Sequence, residues 1–180
     1  LNILEIDDTE EINLEDRIKS ALVEISNFQD HKVSSYPIVD INSPKNCISE
    51  LLNGIDIVIK KSSINLAYYG NLAEGNIKIM GLMDPGEVAD RQAFFKVIKD
   101  GSDLAISLGG SMAANGGVGR LKTPYLNKQY TDSGLQVFKT IKKIFDPMNI
   151  LSPDIKFNTS EDHIKKALVN NKYLRFVENI

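Results

Sequence analysis

The sequence predicts an α+β domain: a mainly antiparallel sheet with helices on one face. Three observations predict it. Stretches 14–28 and 135–145 repeat apolar residues at three- and four-residue spacing, the mark of helices with one apolar face. "IDIVIKK", "INLAYYG" and "IKIMGLM", all between residues 55 and 83, are strand-prone segments. The turn-rich "NLAEGN" joins the last two as a hairpin would.

In chain order, "LNILEI" alternates like a strand, and "LEDRIKSALVEISNF" follows as a helix burying Leu14, Ile18, Leu22, Ile25 and Phe28. That helix ends before "QDHKVSSYP". Ser43 and Pro44 form an N-cap and first-turn pair, which opens a shorter helix through Leu52. The three strand-prone segments come next. Asp84-Pro85-Gly86-Glu87 has the form of a capping box, so a helix is expected to begin there, with Val88, Phe94, Phe95, Val97 and Ile98 inward. Gly101 either interrupts it or is carried through to Leu108. "SGLQVFKTIKKIF" sets Leu135, Phe138, Ile141, Ile144 and Phe145 on one face, and Asp146-Pro147 stops it. A cap signal at Ser160 opens a short closing helix in "TSEDHIKKALVNN". Strand, helix, strands, helix is most simply a ferredoxin-like split βαβ arrangement. The one plausible linker lies around 152–160.

With 180 residues, 42% of them hydrophobic, the chain has material for one core. A net charge of −3 argues against nucleic acid as a partner, because no broad basic face is available to displace phosphate counterions. Lys60-Lys61 and Lys142-Lys143 read as solvated edges. Cys47, the single cysteine, excludes an internal disulfide and favours a reducing compartment. It reads as apolar filler, since a catalytic thiol would want one of only two histidines, His31 or His163, nearby. No apolar run approaches the ~20 residues of a membrane span. Because the chain starts at Leu1 inside a strand pattern, it is expected to be the downstream part of something longer.

"GGSMAANGGVGRLKTPYL", residues 109–126, carries five glycines within its first eleven positions. A phosphate-binding loop is the first reading, and its spacing fails. Gly117-Val118-Gly119 lacks the third glycine of a dinucleotide fingerprint, no Gly-Lys-Ser/Thr ending is present, and a helix rather than a strand precedes it. Two readings remain: a long turn whose glycines supply unusual backbone angles, or a loop facing the similar stretch "YYGNLAEGNIKI" around one cavity.

Taken in order, "YGNLAEGNIKI", "LGGSMAANGGVGRLKTPYL" and "IKKIFDPMNILSP" resemble the C-terminal domain of FAD-linked oxidases of the D-lactate dehydrogenase and glycolate oxidase type. The resemblance implies a cap, or substrate, domain over residues 1–157, a helical tail over 158–180, and an N-terminal FAD-binding domain absent from this chain. It further implies hydride transfer from a small 2-hydroxy acid to FAD, electrons passing to an acceptor protein or quinone, and a cytoplasmic or membrane-peripheral location. Alone, this chain is expected to be inactive.

Many members of that family hold a divalent metal with two histidines and a glutamate. Aligned on the motifs, those positions are Asn71, Lys78 and Asn115, so no metal site is expected. The family's histidine after that glutamate is Gly116, its aspartate is Glu74, and Gly75 and Asn76 are kept. The upstream Trp and Arg residues that grip a substrate carboxylate have no counterpart between Arg17 and Arg91. Ser152 stands at a flavin-side asparagine position.

The pocket candidates are therefore Asn71, Glu74, Asn76, Lys78, Asn115, Arg120 and Lys122, with no catalytic residue assigned. Lys78, Arg120 and Lys122 either offer positive charge to a carboxylate or face solvent. The three asparagines either bond a polar substrate or close turns, and Glu74 is either a general base or an exposed hairpin residue. Two other readings stay open: a non-catalytic structural or docking subunit of such an oxidase, and a free-standing ligand-binding module.

Overall fold

A computed structural model describes residues 38–169, together with 16–17, 20–21 and 33–34. The strand expected over residues 1–6 lies outside the described residues, as does most of the helix expected over 14–28; Asp16, Arg17, Ser20 and Ala21 are helical. The strands are β1 (Val33–Ser34), β2 (Val39–Asn42), β3 (Asn65–Tyr69) and β4 (Asn76–Met83). The helices are α1 (Ile48–Lys60), α2 (Val88–Ser107), α3 (Gly119–Lys122), α4 (Leu126–Gln129), α5 (Asp132–Phe145) and α6 (Glu161–Val169).

β4 is the centre of the sheet. β3 pairs along one edge, while β2 and the short β1 pair end to end along the other, all antiparallel. β2 and β3 therefore run parallel to each other, joined by α1 with β4 between them, which is the expected split βαβ unit. α2 then leads to a single antiparallel bridge between Ser111 and Asn42 on the outer edge of β2, a further strand reduced to one residue.

Alternation along the strands separates two faces. Val39, Ile41, Ile77 and Ile79 are fully buried and join Leu51 and Ile55 of α1 and Phe94 and Ile98 of α2 in one core. Gly101 continues through α2, as one of the two expectations had it. A Cβ there would meet Val39 at 3.0 Å, so the bare position lets helix and sheet approach closely. The opposite face carries Asp40, Asn42, Asn76, Lys78 and Tyr69 in register.

Several element assignments differ from the sequence reading. "IDIVIKK" is the second half of α1 rather than a strand, because Leu51, Ile55 and Val58 keep helical spacing and bury together. The helix starts at Ile48, after a 3₁₀ turn at Lys45–Cys47, and Ser43 provides no side-chain cap. β2 was not expected at all. α2 begins at Val88, which is exposed; Asp84 Oδ1 instead accepts from the Gly86 amide at 2.7 Å, and the Asp84 amide donates to Asp90 at 2.8 Å. Ser160 does cap the closing helix, its hydroxyl accepting from the His163 amide at 3.3 Å. Expected to bury one face, α5 buries none of its residues fully.

Candidate functional site

The two irregular stretches meet on the polar face of the sheet. The hairpin turn is built by Asn71, whose carbonyl accepts from the Asn76 amide at 2.9 Å and whose Oδ1 accepts from the Glu74 amide at 3.2 Å. Gly75 completes the turn at φ +74°, with the Ser43 carbonyl only 2.2 Å from where a Cβ would stand. Asn76 is the junction between the stretches. Its Nδ2 donates to Glu74 Oε2 at 2.9 Å and to Asn115 Oδ1 at 2.8 Å, and its Oδ1 accepts from Asn42 Nδ2 at 2.8 Å. The glycine-rich loop thus lies against the hairpin by way of Asn115.

Beneath this amide cluster is a row of charged groups. Asp40 of β2 stands opposite Lys78 of β4, which stands opposite Tyr69 of β3. The Lys78 ammonium lies 5.5 Å from the Tyr69 ring centroid, within cation–π range. Asp40 and Lys122 are each only 5% exposed, and the Lys122 ammonium donates to the Asp40 carbonyl at 2.9 Å. Burial pushes the Lys122 pKa below its ordinary value, and the Asp40 carboxylate pulls it partly back. Asp40 Oδ2 accepts from the Gly116 amide at 2.6 Å, whereas its Oδ1 is buried with no hydrogen-bond partner. An acceptor of that kind is costly unless a donor meets it.

The structure brings together Asn71, Glu74, Asn76 and Asn115 as hairpin and loop, and places Lys78 and Lys122 on either side of Asp40. Arg120 and Ser152 are exposed and bond none of these residues. Lys78 and Lys122, for which a solvent-facing role had been weighed, are both buried. Asp40 was missed because β2 was missed. The signal was available in Val39 and Ile41 alternating with Asp40 and Asn42, the period of a half-buried strand. Away from this face, a cavity of about 270 Å³ lies where the end of α1 meets α2, lined by Val58, Lys61, Gln92 and Lys96 among others.

The loop and hairpin motifs that suggested a family now have a shared location. A match to the C-terminal domain of FAD linked oxidases covers residues 4–155. This chain belongs to that family. The FAD-linked oxidase domain is 28% identical to the glycolate oxidase subunit GlcD of Bacillus subtilis over 118 residues, which are 66% of this chain and 25% of that protein. It is 28% identical to a D-lactate dehydrogenase of Archaeoglobus fulgidus over 116 residues, 64% of this chain and 25% of that protein. A mitochondrial D-lactate dehydrogenase [cytochrome] of Arabidopsis thaliana is also 28% identical over 116 residues, 64% of this chain and 20% of that protein. The FAD-linked oxidase domain therefore spans about a quarter of the length of the curated relatives it matches. Among the described residues, no group of three or more His, Cys, Asp or Glu is placed to hold a metal ion, and no helix is long and apolar enough to cross a membrane.

Proposed function

We propose that this chain is the substrate-side domain of an FAD-dependent 2-hydroxy acid oxidoreductase with a diverged, metal-free pocket, residues 1–157 forming the domain and 158–180 a tail. The observation that carries the reading is the meeting of loop and hairpin at Asn76 and Asn115, above the buried Asp40, Lys78 and Lys122. The Lys78 and Lys122 ammonium groups on this face are cations suited to a small carboxylate substrate. Two relatives are named for glycolate and D-lactate, both small 2-hydroxy acids.

The residues fit a flavin as a surface rather than as its holder. Gly119 has nothing within 4 Å of an added Cβ and Gly117 only a backbone nitrogen at 4.0 Å, so bare loop backbone is open to a flat ring. When bound by a further domain, FAD supplies the acceptor for the substrate hydride. Reoxidising that flavin would fall to an acceptor protein or quinone. This chain's part is to bind and orient the acid and to shield it from water. A metal does not fit: Asn71 Oδ1 and Asn115 Oδ1 are engaged by amide donors, and Lys78 brings positive charge. A stoichiometric zinc or manganese ion bound there would overturn this part.

The deciding experiment uses the longer parent protein. Anaerobic bleaching of its bound flavin by a member of a 2-hydroxy acid panel supports the reading. Stoichiometric flavin with no bleaching by any of them sinks it. The second reading, a non-catalytic docking subunit, is favoured by the replacement of all three family metal positions and of the neighbouring histidine by Gly116. A parent protein that binds no flavin and co-purifies with an active oxidase subunit would select it.

A further inference from the structure

The glycine-rich loop has little apolar anchorage: within 109–119 only Met112 is fully buried. Its position is fixed mainly by the outer edge of β2. Asn42 and Ser111 exchange backbone hydrogen bonds at 2.9 and 3.0 Å. Two residues earlier on β2, Asp40 takes three bonds. Its carbonyl accepts from the Ala114 amide at 3.2 Å and from the Lys122 ammonium at 2.9 Å, and its carboxylate accepts from the Gly116 amide at 2.6 Å. Lys122 lies in α3, where the chain leaves the loop, so Asp40 grips that loop in its middle and at its exit.

We propose that Asp40 and Lys122 are positioning residues: with the Lys122 ammonium held on the Asp40 main-chain carbonyl and the Asp40 carboxylate on the Gly116 amide, two neighbouring buried charges seat the loop on β2 so that Asn115 meets Asn76. Asp40 fixes Gly116, and Gly116 fixes its neighbour Asn115, whose Oδ1 then receives the Asn76 amide. The pair also accounts for glycine at 116, because a Cβ there would stand 3.0 Å from Asp40 Oδ2 and crowd the carboxylate away from the amide it bonds. Neither charge is tolerable alone. A buried ammonium without its carboxylate, or the reverse, is strongly destabilising, whereas removing both is close to neutral. Lys78 of β4, in register opposite Asp40, is the other ammonium on this face, and Tyr69 of β3 lies beyond it. The inference deepens the reading above by naming what holds the site in shape, and it fails separately, since its test measures loop order rather than turnover.

The test is amide hydrogen exchange and side-chain amide NMR on the 180-residue chain. Asp40→Asn keeps an acceptor for Gly116 but removes the charge opposite Lys122. Protection at Ala114 and Gly116 is expected to fall about a hundredfold, and the Asn76 side-chain resonances to lose the shift that their bond to Asn115 gives. Adding Lys122→Met removes the stranded ammonium and is expected to recover at least about tenfold of the protection. A role confined to packing and hydrogen bonds gives no recovery, because Lys122→Met deletes a further bond. Unchanged protection in Asp40→Asn, or a double variant no better than Asp40→Asn, overturns the proposal. If Asp40→Asn does not fold, a folded double variant is the same rescue, and a double variant that also fails to fold counts against it.

Discussion

Gly110 has no room for a side chain: a Cβ there would stand 1.9 Å from the Asn42 carbonyl oxygen and 2.8 Å from the Ser43 Cα. Both neighbours are backbone, so neither can rotate aside. Gly110→Ala is expected to lower unfolding free energy by about 3 kcal/mol, as read by urea denaturation. Gly117 is the control: an added Cβ meets only the Gly119 nitrogen, at 4.0 Å. Gly117→Ala is therefore expected to change stability by less than about 0.5 kcal/mol. Equal effects at the two positions would refute the account. The sequence displayed five glycines as equivalent, and spacing alone does not separate one pressed on a strand from one open to solvent. The same limit applied to the lysines. Lys78, Arg120 and Lys122 are one residue class in a string, yet the fold buries the first against the Tyr69 ring and the last against the Asp40 carbonyl and leaves Arg120 exposed.

At the scale of elements, hydrophobic period was legible and the partner of each apolar face was not. α2 buries Phe94, Phe95, Val97 and Ile98 as the spacing requires, and the β3–β4 hairpin falls where "NLAEGN" puts its turn. α1 was misread in its second half because Ile and Val favour strands, while packing against α2 decides for helix. α5 has an apolar stripe as clear as that of α2, and its second half is uncovered. Val137, Ile141, Ile144 and Phe145 of the helix and Met148 just beyond it are exposed, Ile144 to 69% and Phe145 to 80%. Leu135 and Phe138, nearer the start of the helix, are half-buried, and the Phe138 ring lies 5.1 Å from that of Tyr130. A patch of this kind marks a contact with something else. Ile144→Ser with Phe145→Ser is expected to change the stability of the isolated chain by less than about 0.5 kcal/mol while reducing its self-association in sedimentation velocity. A marked loss of stability would place the stripe inside this domain's own core.

Across the whole molecule, the chain closes when α6 returns to the body. Ile164 enters the core at 2% exposure, and the Lys165 ammonium lies 5.5 Å from the Phe95 ring centroid. The Tyr125 hydroxyl donates to Glu161 Oε1 at 2.6 Å, joining α6 to the segment that follows the glycine-rich loop. That bond is the main cause holding the Glu161 carboxyl below its ordinary value of 4.5, with the Lys165 ammonium adding to it against some desolvation. Burial and the same carboxylate raise the Tyr125 hydroxyl's pKa. A carboxyl whose folded pKa is depressed binds fewer protons folded than unfolded, so its contribution is present above the unfolded value and is lost as pH falls through the folded one. Tyr125→Phe removes the donor and is expected to cost about 1.5 kcal/mol at pH 7, as for a hydrogen bond to a charged group. Below the folded Glu161 pKa the carboxyl is protonated in both proteins, and the gap between them narrows. Urea denaturation of both proteins over a pH series descending from 7 through the Glu161 titration measures that gap; a gap that stays constant or widens as the carboxyl is protonated would mean that the Tyr125–Glu161 bond does not hold the closing helix in place.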